Sequence, residues 1–245
     1  LQEIEPYCDG IEAIHVPETG IVSYTKVCEV LAEHILAAGG EIFYGASVEG
    51  LIELGNEVRV ASSMREFTAN LVINCAGLRS DKVAQLANAD DGNKIVPFRG
   101  EYYELIKNRQ HLVNGLIYPV PDPSFPFLGV HLTKMIDGSV HAGPNAVLAL
   151  AREGYKWRDV NGSQVAEHIR NRGLWALARK YWKTGAGEVW RSVSKKAFVT
   201  ALQRLVPDLE TSDLEKSPAG VRAQAMDSRG ALVDDFLITE TRASI

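Results

Sequence analysis

Apolar positions recur along the chain with two different periods, and the changes between them divide it into four stretches. After Ser23, placed to cap a helix, Val27, Val30, Leu31, His34 and Ile35 repeat at helical spacing until Gly39-Gly40 end the pattern. Residues 41–44, 47–54 and 57–61 then read as strands, with Gly55-Asn56 as a two-residue hairpin turn between the last two. Residues 71–75 form a short continuous apolar run suited to a buried strand. Ala76-Gly77 follows at once, and Ser80 is placed to cap a helix reaching about Ala87. A polar, acidic linker, 88–93, separates this stretch from the next.

From 94 to 144 the pattern becomes strand-rich, at 102–106, 116–120, 127–132 and 139–142, with Pro119, Pro121, Pro123 and Pro126 as punctuation. An antiparallel sheet is predicted. From 146 to 205 helices dominate, including one over 188–205 on which Val189, Trp190, Val193, Ala197 and Leu202 share a buried face. Two further strands, 221–225 and 231–238, are joined near Ser228-Arg229-Gly230. The fold class predicted is α/β (α+β). The element order over residues 21–92 resembles part of a doubly wound nucleotide-binding domain, to which 217–245 are expected to return. Residues 93–216 form an antiparallel-sheet domain with a helical excursion, and 1–20 are a junction segment. No Gly-x-Gly-x-x-Gly follows a strand, so the turn that holds a pyrophosphate is expected before Leu1.

Composition narrows the function class. The 245 residues are 46% hydrophobic and 23% charged, enough to bury a core, and their net charge of -5 offers no basic field for nucleic acid. No apolar run approaches the roughly eighteen residues of a membrane span, and Leu1 to Tyr7 carry acids where a secretory signal would be basic. Cys8, Cys28 and Cys75 are odd in number and far apart, which speaks against a disulfide framework or a zinc site and for a reducing compartment such as the cytoplasm. Cys28 and Cys75 read as buried packing residues, with Cys8 undecided. The acids and histidines show no compact ligand spacing, so no metal is expected.

Five segments combine glycine or proline with a cation or a planar polar group: His15-Val16-Pro17-Glu18-Thr19-Gly20, Asn74 to Asp81, Pro97-Phe98-Arg99-Gly100-Glu101-Tyr102, Gly143-Pro144-Asn145-Ala146 and Pro218-Ala219-Gly220-Val221-Arg222. In this order they resemble the D-amino-acid-oxidase-like flavoproteins, most closely the L-2-hydroxyglutarate oxidase and dehydrogenase family. Ile117-Tyr118-Pro119-Val120-Pro121-Asp122, Gly129-Val130-His131 and Arg152-Glu153-Gly154-Tyr155 extend the match over nearly the whole chain. The resemblance implies an internal piece of a longer FAD enzyme, with the dinucleotide fingerprint before Leu1 and the last flavin-contacting elements after Ile245. It implies hydride transfer from a 2-hydroxy acid, L-2-hydroxyglutarate becoming 2-oxoglutarate, with electrons leaving to oxygen or a membrane quinone pool. Peripheral membrane contact stays open. A related amino-acid or glycerol-3-phosphate flavoenzyme, or a non-catalytic binding module, are the alternatives.

The same resemblance implies roles for residues. Arginine suits a carboxylate clamp because its planar fork binds bidentately and stays charged, and Arg222 is the first candidate. Arg99 is the second, for the distal carboxylate, or else a structural partner of Glu101. His131 is the candidate proton acceptor and His15 its runner-up, with a packed core histidine or a junction role as the bland readings. Tyr118 and Asn145 would supply neutral hydrogen bonds, or else aromatic packing and a turn. Val48, Cys75, Ala76, Gly77, Gly220 and Val221 would meet the cofactor. Trp157, Trp175, Trp182 and Trp190 are assigned core or partner-surface roles and no chemistry.

Overall fold

The computed structural model describes residues 1–121 and 129–241. Within them the chain divides into two compact units. One holds Leu1–Val22, Pro97–Arg170 and Leu174–Arg222; the other holds Ser23–Val96, Asn171–Gly173 and the segment from Ala223 on.

In the second of these, α1 spans Tyr24–Ala37 and begins as its sequence dictates: the Ser23 hydroxyl accepts the Lys26 N–H at 3.3 Å. Three strands follow as an antiparallel meander, β1 (Val48–Leu54), β2 (Glu57–Ser62) and β3 (Glu66–Ala69), in the order β1-β2-β3. Pairing of Leu54 with Glu57 closes the hairpin over Gly55-Asn56, and a register irregularity falls between Val48 and Gly50. Leu51 and Val58 form a small core with Val60, Val72, Val83, Leu86 and Ala87. The helix α2, Ser80–Leu86, is entered through a 3-10 turn, Gly77–Arg79. Ser80 is therefore not a cap: its hydroxyl donates to the Gly77 carbonyl at 2.9 Å.

Four local expectations differ here. Residues 41–44 form no strand; Phe43 instead packs its ring on Phe67, with the Arg65 guanidinium over both. Residues 71–75 show only a bridge at Val72, and 231–238 only one at Leu232, paired with Met226. Cys28 and Cys75, expected buried, are exposed. Their apolar neighbours predicted burial, yet no described layer covers these faces, and α1 buries none of its residues.

In the other unit the sheet is built on one long strand, β4 (Lys94–Leu105), which begins in the second unit and runs on here. Around it lie β5 (Leu116–Ile117), β6 (His131–Lys134), β7 (Val140–Gly143) and β8 (Val147–Leu148), in the order β5-β6-β7-β4-β8, while β9 (Leu214–Met226) also pairs with β4. The registers among β4 to β8 are antiparallel. The predicted strand 127–132 lies partly in 122–128, outside the described residues, as does Asp122. Three helices follow: α3 (Gly162–Arg170), α4 (Arg172–Val193) and α5 (Lys195–Leu202).

Residues 188–205 are thus two helices. Ser194 is extended (φ -118°, ψ 100°) and caps α5 by accepting the Ala197 N–H, so the predicted common face breaks there. Val189, Trp190 and Val193 are exposed, whereas Phe198, Val199 and Leu202 enter the core with Tyr103, Leu105, Leu132, Val140, Ala142 and Leu214. The rings of Tyr103 and Phe198 meet at 4.7 Å. Cys8 is buried in this core. No helix among the described residues is long and apolar enough to cross a membrane.

Candidate active-site cavity

The site begins with an interruption in a ladder. β7 pairs with β4 at Tyr103 and Glu104, and β8 pairs with it at Phe98 and Arg99, so the link Pro144-Asn145-Ala146 passes β4 between these levels. Regular pairing stops there, and a side chain takes over: the Asn145 Oδ1 accepts the Glu101 N–H at 2.8 Å. On the other side of the link, the Ala146 N–H donates to the Glu188 carboxylate at 3.0 Å. Gly100 is dictated by this crossing, because a Cβ there would stand 2.7 Å from the Pro144 Cβ.

Alternation along β4 then sorts its side chains. Phe98, Gly100 and Tyr102 line a cavity of about 420 Å³, in the range of roughly 300–1,000 Å³ usual for small-ligand sites. Arg99 and Glu101 do not line it. The remaining wall comes from Tyr118 after β5, His131 opening β6, the 144–146 link, and Gly220, Val221 and Arg222 of β9.

Within the cavity His131 and Tyr118 stack, ring centroids 4.1 Å apart and planes 18° apart. The His131 Nδ1 lies 3.2 Å from the Gly129 carbonyl. A carbonyl only accepts, so Nδ1 carries the proton and Nε2 keeps its lone pair. Burial holds the His131 pKa below its ordinary value, with the Gly129 carbonyl opposing and the Arg222 charge adding to the depression. Burial likewise raises the Tyr102 phenol, partly offset by Arg222. Arg222 therefore acts electrostatically on both groups.

Behind β4 lies a closed ring of four side chains. The Arg99 Nη2 is 3.3 Å from the Glu101 Oε1 as an ion pair without hydrogen-bond geometry, and the Arg99 side chain is 1% exposed. The other Glu101 oxygen accepts from the Ser192 hydroxyl, which accepts the Trp157 indole N–H at 3.1 Å. The Trp157 ring lies under the Arg99 guanidinium at 4.3 Å, closing the circuit.

The cavity thus brings together Arg222, His131, Tyr118, Asn145, Gly220 and Val221, and it excludes Arg99. His15 is exposed in the Leu1–Val22 segment and does not line it. Val48, Cys75, Ala76 and Gly77 belong to the other unit. There Asn74 holds the turn, its Oδ1 accepting the Ala76 N–H and its Nδ2 donating to the Ser80 carbonyl. Sequence reasoning gave Tyr102 no role. Strand parity was the missed signal, since it separates Arg99 from Gly100 and Tyr102.

Comparison with known proteins adds identity to this geometry. L-2-hydroxyglutarate dehydrogenase of Indibacter alkaliphilus is 54% identical, the alignment covering 100% of this chain and 62% of the relative. The enzyme of the same name from Salmonella houtenae is 46% identical over 100% of this chain and 58% of the relative. The chain therefore spans about 60% of the length of the curated relatives it matches. Among solved structures, the FAD-bound, dithionite-reduced L-alpha-glycerophosphate oxidase of Mycoplasma pneumoniae superposes with a TM-score of 0.63 at 18% identity, over 91% of this chain and 51% of that one, a likeness of fold. The family model described as "FAD dependent oxidoreductase" (DAO) matches residues 1–243, and the chain belongs to that family of FAD-dependent oxidoreductases.

Proposed function

We propose that this chain carries the substrate-binding machinery of an FAD-dependent oxidation of L-2-hydroxyglutarate to 2-oxoglutarate. The observation that carries the reading is one cavity in which a fixed cation, Arg222, and a histidine with its Nε2 lone pair held available, His131, stand together. The names of the relatives at 54% and 46% identity supply the substrate. We assign substrate binding to the unit containing 97–170 and 174–222, and cofactor binding to the unit containing 23–96.

Arg222 takes the substrate's carboxylate beside C2 in its planar fork and so orients the C2–H bond. His131 accepts the hydroxyl proton at Nε2 while the C2 hydrogen leaves with its electron pair, giving the 2-oxo acid. Desolvation keeps His131 neutral and competent at neutral pH. The Asn145 amide, seated on the Glu101 N–H, holds the cavity wall in register. When bound, FAD supplies the two-electron acceptor for that hydride.

The residues assigned to FAD fit such a group. At Gly77 (φ +53°) nothing stands within 4 Å of where a Cβ would be, so a phosphate or ribose can approach the backbone of Cys75, Ala76 and Gly77, with Val48 offering strand backbone in the same unit. Gly220 and Val221 line the cavity wall. Electrons then pass to oxygen or to membrane quinone, alternatives that oxygen uptake with and without an added quinone separates.

The test is anaerobic mixing of the full-length enzyme with a substrate panel. Flavin bleaching by L-2-hydroxyglutarate, and not by sarcosine or glycerol 3-phosphate, is the predicted result. The opposite pattern would overturn the substrate assignment.

A further inference from the structure

Among the described residues the cavity wall carries one fixed cation, Arg222, whereas a 2-hydroxy diacid presents two carboxylates. Arg99, the sequence candidate for the second, is locked behind β4 against Glu101 and Trp157. What the wall offers instead is neutral. The Tyr118 ring is stacked on His131 and its hydroxyl sits 3.5 Å from the Thr133 Oγ1. Tyr102 lines the same cavity, and its hydroxyl has no hydrogen-bond partner among the described residues. Its ring has room beside Gly220, where a Cβ would be 3.8 Å from the Tyr102 Cε2.

We propose that Tyr102 determines specificity by donating a hydrogen bond from its phenol to the carboxylate of a 2-hydroxy diacid that Arg222 does not hold. The inference rests on the reaction proposed above and names how its substrate class is selected. Tyrosine suits the place for two reasons. A protonated phenol is a donor to carboxylate, and burial keeps this one protonated. A second cation would depress the basicity of His131 further, as Arg222 already does, whereas a neutral donor leaves the proton acceptor intact.

The test uses the full-length holoenzyme and its Tyr102→Phe variant, which keeps the ring and removes the donor. Glutarate and pentanoate, differing only in the second carboxylate, are titrated against the flavin absorbance, and turnover is measured with 2-hydroxyglutarate and 2-hydroxypentanoate. Losing one hydrogen bond to a charged group should weaken glutarate binding and raise the KM for 2-hydroxyglutarate by roughly 10-fold or more. Pentanoate binding, kcat/KM for 2-hydroxypentanoate and flavin content should stay unchanged. Equal weakening of both ligands places Tyr102 on the shared carboxylate or in the fold, and no weakening of either places the second carboxylate elsewhere; both overturn the proposal. If the unaltered enzyme does not oxidise 2-hydroxyglutarate, the reaction assignment fails, and the glutarate and pentanoate titrations still decide the role of Tyr102.

Discussion

Replacing Glu101 by alanine should expose how much the ring behind the cavity contributes to stability. Arg99 is 1% exposed, and its ion-pair partner at 3.3 Å is Glu101, itself 22% exposed. Removing one partner of a buried pair costs about 3–5 kcal/mol, because the remaining charge is left without compensation. Partial exposure of Glu101 and the persisting stack of Arg99 on Trp157 put the loss near the lower end, about 3 kcal/mol. For a chain of this size that corresponds to a Tm lowered by roughly 6–12 °C. The Ser192 hydroxyl also loses an acceptor, while the hydrogen bond to Asn145 survives because it comes from the Glu101 backbone. Thermal unfolding of this chain by circular dichroism measures the effect. A companion Arg99→Met, Glu101→Leu double variant should recover most of the stability, since an apolar pair of similar volume replaces the ion pair at little cost. A Glu101→Ala Tm within about 1 °C of the parent, on the same size scaling, or a double variant as unstable as the two single losses added, would refute the reasoning.

Other outcomes follow from the same geometry. His131→Asn should abolish turnover of the full-length enzyme while its flavin content is kept. In the unaltered enzyme the acid limb of kcat/KM should lie below 6.5, the ordinary histidine value, because the depressed pKa keeps the base unprotonated as pH falls. By linkage, a depressed histidine contributes stability that is present above 6.5 and lost as pH falls from there through the folded pKa, so His131→Asn should flatten this part of the stability profile against pH. Gly100→Ala forces a Cβ to within 2.7 Å of Pro144 and should cost roughly 1–3 kcal/mol, measured by denaturant unfolding. A thiol reagent should label Cys28 and Cys75 of the native chain rapidly, with Cys8 reacting only on unfolding, since it is buried and its pKa is raised chiefly by desolvation.

Periodicity made the strong local patterns legible: the Ser23 cap, the Gly55-Asn56 hairpin and the strand-rich texture around β4 all came from spacing and turn chemistry. Contiguity was harder to read. The run 188–205 looked like one helix, but the Ser194 hydroxyl competes for the backbone and starts a second one. Apolar content at Cys28 and 71–75 predicted burial, a property that depends on which layer lies opposite and not on the residues alone. In the cavity, resemblance drew attention to Arg222, His131 and Asn145, and the fold brings all three to one wall. Of the two roles open to Arg99, the structure shows the ion pair with Glu101, because strand parity turns it away from the cavity and presents Tyr102 there. Parity was in the sequence; the face it served depended on the 144–146 link that crosses β4.

The central claim is that the cavity holding Arg222 and His131 orients a 2-hydroxy acid for hydride loss. Its most direct test is single-turnover flavin reduction by L-2-hydroxyglutarate under anaerobic rapid mixing, comparing the full-length enzyme with Arg222→Ala. The account predicts saturable reduction in the parent, and in the variant an apparent Kd raised by roughly 10- to 100-fold for the lost charged hydrogen bonds, with flavin still bound. No reduction in the parent, or an unchanged Kd in the variant, would contradict it.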